Sequence, residues 1–373
     1  MNDVKQTITV GLIGYGYAGK TFHAPLIRSV PGLALTHIAS SKPDVVHAEV
    51  PGAVVCSAEE LVAHPDVDLV VIATPNDSHF PLGSAALKAG KHVVMDKPFT
   101  VTLEEARGLR RLAQQQGGLL SVFHNRRWDS EILASKAILD SGVLGRVVHY
   151  ECHMDRFRPT VRKRWREDPG PGAGLWFDLG PHLIDLALYL FGLPTYVSAN
   201  FGILRDDGTT DDWAHVQLIY EAERLRVILH SSLLASGGGP RSTLHGTRAS
   251  WVKFGADVQE PQLVSGMLPD DPAFGIDTNP GMLIYGAIGL GETGKREEMA
   301  APKGDQRQYY VDIRDAIQNH RSPLITAKDA VAVMAILETS FRSGREGRVL
   351  SLPLTSEEIS EWKAAPPGAA NLK

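Results

Sequence analysis

The chain of 373 residues exceeds the size at which a single hydrophobic core is usual, so two domains are expected. Apolar residues make up 43% and charged residues 22%, which is the balance of a globular protein and excludes a disordered chain. The formal net charge of -5 provides no general basic field, which disfavours nucleic acid and anionic membranes as partners.

The predicted strands of the first part of the chain alternate with predicted helices. The strand patterns are short, nearly continuous apolar runs rich in β-branched residues, which is typical of a parallel sheet covered on both faces. The strands are predicted at residues 7–13, 33–39, 54–56, 69–73, 92–95 and 119–123, and the helices at residues 19–30, 58–63, 81–89 and 103–116. We therefore expect residues 1–124 to form a doubly wound α/β Rossmann domain.

The pattern changes after residue 123. A helix is predicted over residues 130–141, followed by a strand at residues 147–155 whose apolar face alternates with a face of His149, Glu151, His153 and Asp155. Further strands are predicted at residues 195–203, 213–220, 224–233, 241–246 and 251–254, with helices at 306–319 and 327–343, surface loops over 255–304 and a frayed tail from 364. Residues 125–373 are thus predicted to form an α+β domain with one large, mostly antiparallel open sheet.

The two cysteines, Cys56 and Cys152, each lie inside an apolar strand-like run. This placement indicates buried free thiols in a reducing compartment rather than a disulfide. Residues 1–6 lack the pattern of a signal peptide, and no apolar run reaches membrane-spanning length. We expect a cytoplasmic protein without a membrane partner.

A glycine-rich turn directly follows the first predicted strand and opens the first predicted helix. The pattern G-x-G-x-x-G is weak alone, but this placement is the context that dinucleotide binding requires. The glycines allow a tight turn and close approach of the backbone, and the helix N-terminus faces the pyrophosphate. A glycine turn without a ligand is the less favoured alternative. The motif consists of Gly14, Tyr15, Gly16, Tyr17, Ala18 and Gly19.

The end of the second predicted strand indicates which dinucleotide is bound. NAD enzymes usually place a carboxylate there for the ribose 2′-hydroxyl, whereas this chain has Ser40, Ser41 and Lys42. Two hydroxyls and an ammonium can bind a 2′-phosphate, so we predict NADP as the cofactor. A polar turn that tolerates either cofactor stays open, and the nearby Asp44 keeps NAD possible.

Two further strand ends carry polar residues. Thr74, Pro75 and Asn76 follow the fourth predicted strand, and Asp96 and Lys97 follow the fifth, at the sheet edge where ligands bind in open α/β folds. The ammonium of Lys97 can stabilise a developing alkoxide, although a surface lysine is the simpler alternative.

A predicted helix beginning near Asp178 carries a second group of candidate catalytic residues. Asp178 and His182 are four residues apart and share a helix face, and a histidine beside a carboxylate is a suitable general base. Asp178 could instead cap the helix while His182 packs in the core. A metal site with Asp185 is disfavoured because no companion ligand motif is present, so no metal is expected.

Two other segments carry charges near these sites. Asn125 and Arg127 lie at the predicted domain junction, where contact with the cofactor and a hinge held by ion pairs are equally favoured. The basic run over residues 156–166 is interpreted as a loop over the active site, and His23 as structural. The expected cofactor contacts are Gly14, Tyr15, Gly16, Tyr17, Ala18, Gly19, Ser40, Ser41, Lys42, Thr74, Pro75, Asn76, His79, Asp96, Lys97, Asn125 and Arg127.

These motifs together resemble the glucose-fructose oxidoreductase, inositol dehydrogenase and rhizopine catabolism (Gfo/Idh/MocA) family over essentially the whole chain. The resemblance lies in the glycine-rich turn, the Thr-Pro-Asn segment, the Lys97–Pro98 pair and the spacing of Asp178 and His182. Asp96 stands where family members usually have glutamate. Residues 22–25, 122–129 and 155–159 resemble the branch that includes NADP-dependent scyllo-inositol dehydrogenases.

The resemblance implies a role for each candidate catalytic residue. Lys97 would orient the substrate hydroxyl and the ribose, His182 would take the hydroxyl proton, and Asp178 would position the substrate and tune His182. The implied reaction is hydride transfer between a nicotinamide and a secondary alcohol or ketone of a cyclic polyol or sugar. A homodimer or homotetramer through the C-terminal sheet is also implied. A sugar or anhydro-sugar reductase, an aldose dehydrogenase, a non-catalytic dinucleotide-binding regulator and a metal-assisted lyase remain alternatives.

Overall fold

The structure is a computed structural model, and it describes residues 7–286 and 294–364. The chain divides into two compact units, which are treated separately below. The first unit takes the chain up to residue 125 together with residues 259–274 and 305–331, and the second takes residues 126–258, 275–304 and the chain from 332. The division into independent domains at residue 124 remains a prediction.

The first unit is built on a six-stranded, fully parallel sheet in the order β3-β2-β1-β4-β5-β6. All four side chains of the central strand β4 are inaccessible to solvent, as expected for a sheet covered on both faces. The predicted doubly wound Rossmann sheet is therefore confirmed. Its strands are β1 (Ile8–Ile13), β2 (Leu33–Ala39), β3 (Val54–Cys56), β4 (Leu69–Ile72), β5 (His92–Met95) and β6 (Leu120–Val122).

Capping residues set the ends of the longer helices in this unit. Ser57 and Thr102 each form a capping box with a glutamate three residues on, and Gly117 ends a helix in the left-handed conformation at φ 67°. A π-helical turn (Gly19–His23) precedes the first helix. The helices are α1 (Ala24–Arg28), α2 (Pro43–Glu49), α3 (Ala58–Ala63), α4 (His79–Lys88), α5 (Leu103–Gln116), α8 (Gln259–Val264) and α9 (Arg307–Gln318), while the short α2 was not predicted.

The second unit is built on a nine-stranded sheet in the order β14-β13-β12-β11-β7-β10-β9-β8-β15. Its pairs are antiparallel except for β7 and β10, so the predicted mostly antiparallel sheet is confirmed. The strands are β7 (Val147–His153), β8 (Tyr196–Gly202), β9 (Trp213–Tyr220), β10 (Leu225–Ser232), β11 (Ser242–Gly246), β12 (Ala249–Lys253), β13 (Gly281–Tyr285), β14 (Lys295–Met299) and β15 (Leu350–Ser351).

The two faces of this sheet differ in polarity. On β7, Tyr150 and Cys152 are fully buried, whereas His149, Glu151 and His153 on the opposite face are partly exposed, as the alternation predicted. The helices are α6 (Ser130–Asp140), α7 (Leu175–Phe191), α10 (Ala327–Glu346) and α11 (Ser356–Ala364). Helix α7 packs on β9 and β10, and this packing fixes the positions of the polar residues on the helix.

The predicted loop over residues 255–304 is wrong in part, because α8, β13 and β14 form there. Gly281 lies within β13, where Trp251 of the neighbouring strand packs against it. A Cβ at Gly281 would lie 1.8 Å from the Trp251 ring. Strand β14 is charged and lies at the sheet edge, so it lacks the apolar pattern of an inner strand.

Three smaller predictions are also corrected or limited. Helix α7 begins at Leu175 rather than near Asp178, so Asp178 is not its N-cap. Asp211 caps this helix from a distant loop instead, since its Oδ2 accepts a hydrogen bond of 2.7 Å from Trp176 N. Both cysteines are free, but Cys56 is half-buried rather than buried. Beyond Ala364, the predicted frayed tail lies outside the described residues.

Within the described ranges, the structure contains no helix with both the length and the apolar character needed to span a membrane.

Candidate functional site

In the glycine-rich turn of the first unit, two positions leave no room for a side chain, and a third faces open space. Gly14 has φ 98°, and a Cβ there would lie 2.4 Å from the carbonyl oxygen of Ala73. A Cβ on Gly19 would lie 2.0 Å from the carbonyl oxygen of Gly14. No atom lies within 4 Å of a Cβ built on Gly16. The first and third glycines thus shape the turn, while the second leaves room for a group outside the protein.

A cleft of about 460 Å³ opens at this turn. It lies at the carboxyl ends of β1 to β4, where dinucleotides bind in doubly wound sheets. The predicted contacts that do not line it are Tyr17, Ala18, Gly19, Asn76, His79, Asp96, Lys97, Asn125 and Arg127. Its lining residues are Ile13, Gly14, Tyr15, Gly16, Ala39, Ser40, Ser41, Lys42, Cys56, Ser57, Ala58, Ala73, Thr74 and Pro75.

The β3–α3 connection also lines the cleft, which the sequence interpretation missed. This connection contributes Cys56, Ser57 and Ala58 to the lining. Because β3 lies next to β2, these residues lie at the same carboxyl edge of the sheet. The capping pattern at Ser57, directly after a strand, was the available signal.

One end of the cleft carries the predicted phosphate-binding residues. Ser41 and Lys42 are exposed, and the side-chain oxygen of Ser40 accepts a 3.1 Å hydrogen bond from Lys42 N. No carboxylate is among the described lining residues, and Asp44 lies in the first turn of α2. Hydroxyl and ammonium donors without a competing carboxylate suit a 2′-phosphate.

The tyrosines of the turn have neighbouring glutamates as partners. Tyr15 OH donates to Glu49 Oε2 at 3.1 Å, and burial together with this bond raises the Tyr15 pKa to about 12. Tyr17 is 62% exposed and its hydroxyl donates to Glu260 Oε1 at 2.9 Å. The Tyr15 phenol is therefore a neutral hydrogen-bonding group at physiological pH.

His79 joins the two polar strand ends of this unit. Its Nδ1 lies 2.8 Å from the carbonyl oxygen of Pro98, and its Nε2 lies 3.1 Å from that of Thr74. The side chain is fully buried, and burial lowers its pKa. His79 thus ties together the segments after β4 and β5, a positioning role that the sequence did not reveal.

Asp96 and Lys97 lie beside a buried polar network. Asp96 Oδ1 accepts a 2.8 Å bond from Lys97 N and lies 3.9 Å from His23 Nε2, while His23 Nδ1 is 2.6 Å from Tyr310 OH. Burial acts to raise the pKa of Asp96, but His23 and the charges of Lys97 and His79 outweigh it and lower that pKa. An ionised Asp96 therefore holds the backbone at Lys97. The interpretation of His23 as structural stays a prediction.

Helix α7 of the second unit carries Asp178 and His182 one turn apart. Asp178 Oδ1 lies 3.6 Å from Arg166 Nε, and the side chain is 18% exposed. His182 is 7% exposed and lies in the same apolar helix as Leu179 and Leu183. A carboxylate and an imidazole at this spacing on a rigid helix can act on one group.

Asp185, one turn further, is engaged by a buried arginine. Arg127 Nε and Nη2 lie 2.9 and 2.6 Å from the two Asp185 oxygens, and both side chains are nearly inaccessible. Arg127 also lies 5.2 Å from the Tyr189 ring centroid. Arg127 thus forms an ion pair, which was one of its two predicted roles. The guanidinium contacts both carboxylate oxygens of Asp185. Asn125, in the first unit, donates to Gln306 Oε1 at 2.8 Å.

The basic run forms part of a small cleft that also contains Asp178. Glu167 is buried and pairs with Arg164 and Arg205, at 2.8 and 3.1 Å. Burial, and then the neighbouring arginines, lower the pKa of Arg158. The cleft is lined by Arg156, Arg158, Arg164, Arg166, Glu167, Gly174, Leu175, Asp178, Arg205, Thr210, Asp211 and Leu233. The run therefore lies beside a candidate catalytic residue, as predicted.

The open position at Gly16 yields the first testable prediction. Gly16→Val fills space intended for a ligand, so we expect dinucleotide affinity to fall by about tenfold or more, corresponding to at least ~1.4 kcal/mol. We expect the thermal midpoint to stay close to that of the wild type, because no protein atom is displaced. Fluorescence titration with NADPH and thermal unfolding measure the two effects.

Gly14→Val is the matched control for this prediction, because its Cβ would meet backbone atoms. It is expected to lower the thermal midpoint as well as the affinity. Unchanged NADPH binding in a folded Gly16→Val protein would contradict the proposed position of the cofactor.

Comparison with known proteins agrees with this geometry. Residues 8–124 match the description "Oxidoreductase family, NAD-binding Rossmann fold", and residues 136–352 match "Oxidoreductase family, C-terminal alpha/beta domain". The uncharacterized oxidoreductase YdgJ of Escherichia coli K12 is 47% identical over 350 residues, covering 94% of this chain and 100% of YdgJ.

Two further relatives have a named activity or a solved structure. The scyllo-inositol 2-dehydrogenase (NADP(+)) IolW of Bacillus subtilis 168 is 37% identical over 349 residues, covering 93% of this chain and 96% of IolW. A crystal structure from Klebsiella pneumoniae superposes with a TM-score of 0.89 at 48% identity, covering 96% of this chain and 99% of that one.

The fold and the glycine-lined cleft define an oxidoreductase with an NAD-binding Rossmann domain. The chain belongs to the Gfo/Idh/MocA oxidoreductase family, as its resemblance predicted.

Proposed function

We propose that this protein is an NADP-dependent dehydrogenase that oxidises a secondary alcohol of a cyclic polyol, with scyllo-inositol as the first candidate. The observation that carries the proposal is the polar end of the dinucleotide cleft, formed by Ser40, Ser41 and Lys42 without a lining carboxylate. The similarity to IolW along nearly the whole chain supports both the cofactor and the substrate class.

The residues of the cleft fit the cofactor. Gly14 and Gly16 line the cleft and would let the backbone approach the pyrophosphate, and Lys42 with its two preceding serines would hold the 2′-phosphate. Thr74 and Pro75 border the cleft further along the sheet edge, and His79 bonds the carbonyl oxygen of Thr74 in a positioning role. Bound NADP supplies a nicotinamide that accepts a hydride.

Each catalytic residue has one proposed task. Lys97 donates a hydrogen bond to the substrate oxygen and stabilises its developing negative charge. His182 accepts the hydroxyl proton as the carbinol C–H bond breaks, and that carbon becomes a ketone. Asp178 orients His182 and stabilises its protonated form. In the reverse direction, His182 returns the proton to the carbonyl oxygen.

The buried network around Asp96 supports the role proposed for Lys97. The Asp96 carboxylate accepts a hydrogen bond from the backbone of Lys97, and His23, whose Nδ1 lies beside Tyr310 OH, places its Nε2 3.9 Å from that carboxylate. His79 bonds the carbonyl of Pro98 on the other side. These contacts hold the backbone around Lys97 from two directions, so the side chain that carries the ammonium extends from a rigid segment.

Other members of the wider family define the alternatives. The 1,5-anhydro-D-fructose reductase of Ensifer adhaerens is 36% identical over 135 residues, covering 36% of this chain and 40% of that protein, so a sugar or anhydro-sugar substrate is the second candidate. An aldose dehydrogenase and a non-catalytic regulator are further outcomes of the test below. We also propose a homodimer or homotetramer through the large sheet, which light scattering during size-exclusion chromatography will test.

The proposal is tested by measuring absorbance at the reduced-nicotinamide band. NADP or NAD is combined with scyllo-inositol, myo-inositol or aldoses, and NADPH or NADH is combined with 1,5-anhydrofructose for the reductive direction. We expect scyllo-inositol to reduce NADP in preference to NAD. Lys42→Gln is expected to raise the KM for NADP about tenfold by removing one charged contact to phosphate, with little change for NAD.

Lys88→Gln, which changes an exposed lysine at the end of α4, is the matched control and should leave both KM values unchanged. A preference for NAD would show that the interpretation of Ser40, Ser41 and Lys42 is wrong. Turnover of an anhydro-sugar alone would select the second candidate. Tight NADPH binding without turnover of any compound would favour a regulatory protein.

A further inference from the structure

Three histidines stand side by side on the partly exposed face of the large sheet. Strand register places His153 of β7 opposite His230 of β10, and His230 opposite His215 of β9. Directly opposed residues in a sheet share a face, so the three imidazoles form a row across adjacent strands. Asp155 follows His153 by two residues and contacts both His153 and His230.

The distances in this row resemble those of a metal-binding site. Asp155 Oδ2 lies 3.3 Å from His153 Nδ1, and Asp155 Oδ1 lies 3.7 Å from His230 Nε2. One donor atom from each of the three residues lies within 4.8 Å of the others. Ligand atoms in a tetrahedral zinc site are separated by about 3.4 Å, given bonds of ~2.0–2.1 Å. Small side-chain rotations would therefore bring the three donors around one ion.

Neighbouring polar groups orient these side chains, as the hydrogen-bonding partners of metal ligands do in known metal sites. Glu151 Oε2 lies 3.4 Å from His153 Nε2, so it can orient the ring with Nδ1 directed at Asp155. Ser232 N donates to Asp155 Oδ1 at 2.9 Å and fixes the carboxylate. In the single chain, the side chains of His153, His230 and Asp155 are 24%, 15% and 10% exposed, so an ion can reach them before another subunit packs on this face.

A second cluster of possible metal ligands differs from the histidine row in its ion-pair partners. Asp129, Glu131 and Asp257 also approach one another, but they are buried, and Arg126 and Arg241 already pair with the first two. Among the described ion pairs, Glu151 and Asp155 pair only with histidines. The acidic cluster is thus neutralised by arginines, whereas the histidine row has donors that a cation can share.

We propose that His153, Asp155 and His230 bind a divalent transition metal ion of the zinc class, with Glu151 as the outer partner of His153. Two imidazoles and one carboxylate are a donor set that suits such an ion, and the fourth position is available to water or to His215. The ion would link β7 to β10, the parallel pair of the sheet. The site shares no residue with the proposed dehydrogenase machinery, so its test is independent of that function.

Zinc binding is measured by competition with a chromogenic zinc indicator, using tag-free, chelator-treated full-length protein. We expect one high-affinity zinc ion per chain and a higher thermal midpoint when zinc is present. Glu151→Gln is expected to weaken zinc binding by about 10–100-fold, and His230→Gln by about 100-fold or more. His245→Gln is the matched control, because this histidine lies on the same sheet and bonds Ser250 instead.

Cobalt provides a second readout, since visible ligand-field bands report four-coordinate binding by nitrogen and oxygen donors. These bands should appear in the wild type and in His245→Gln and disappear in His230→Gln. Absence of zinc binding by the folded wild type would overturn the proposal even if a variant failed to fold. Equal zinc affinity in wild type, His230→Gln and His153→Gln would also overturn it, because the ion would then bind elsewhere.

Discussion

Replacing His182 with glutamine lowers kcat for polyol oxidation by about 10²–10⁴-fold, the usual contribution of a general base. Glutamine retains a polar side chain of similar length but cannot accept the hydroxyl proton at neutral pH. The KM for NADP and the affinity for NADPH should stay near the wild-type values, since the dinucleotide cleft lies in the first unit and His182 in the second. Steady-state kinetics and NADPH titration separate these effects.

His245→Gln is the control for general effects of removing a histidine, because this exposed histidine bonds Ser250, outside the proposed machinery. It should retain full activity. If His182→Gln retained kcat within about threefold of the wild type, His182 would not be the base. If the loss appeared in the affinity for NADPH instead, His182 would have a binding role.

Replacing Asp185 with asparagine destabilises the protein by about 3–5 kcal/mol. The change leaves the Arg127 guanidinium buried without its counter-charge, and both side chains of this pair are at most 4% exposed. The two-point geometry between Arg127 and Asp185 is the arrangement in which such pairs are strongest. Urea unfolding followed by far-ultraviolet circular dichroism measures the effect.

Two companion variants make this result interpretable. Asp140→Asn removes a partly exposed pair with Lys136 on α6 and should cost well under 1 kcal/mol. Arg127→Met combined with Asp185→Asn should cost less than the sum of the single changes, because no isolated charge remains. Additive losses would show that the two residues do not stabilise each other. Weakened NADPH binding in a stable Arg127→Met protein would instead support the cofactor contact expected from the sequence.

Features that depend on neighbouring residues were predicted well. The bounds of β2, β5 and β9 and of helices α3 and α5 follow the predicted ranges, because apolar periodicity and capping residues act within a few positions. The glycine-rich turn was also identified correctly, since its conformation depends on glycines at set spacing. The candidate residues Lys97, Asp178 and His182 were found by the same local logic, and their roles remain proposals.

Features that depend on distant residues were missed. Asp211 caps α7 across 35 positions of sequence, so the start of that helix was placed too late. Arg127 finds Asp185 at a separation of 58 residues, which no local pattern reveals. The segment that contains β13 was predicted as a loop, because the packing of Gly281 against Trp251 of the adjacent strand is not visible locally.

The fold class, the glycine-rich turn and the alternation of faces on β7 followed from local sequence patterns, because side-chain direction along a strand or helix has a set period. Which of those faces meet depends on long-range packing. The histidines of β7, β9 and β10 were visible individually, but strand register places His153, His230 and His215 in one row. Register is selected by burial of the whole sheet rather than by any one strand, so it cannot be read from local sequence.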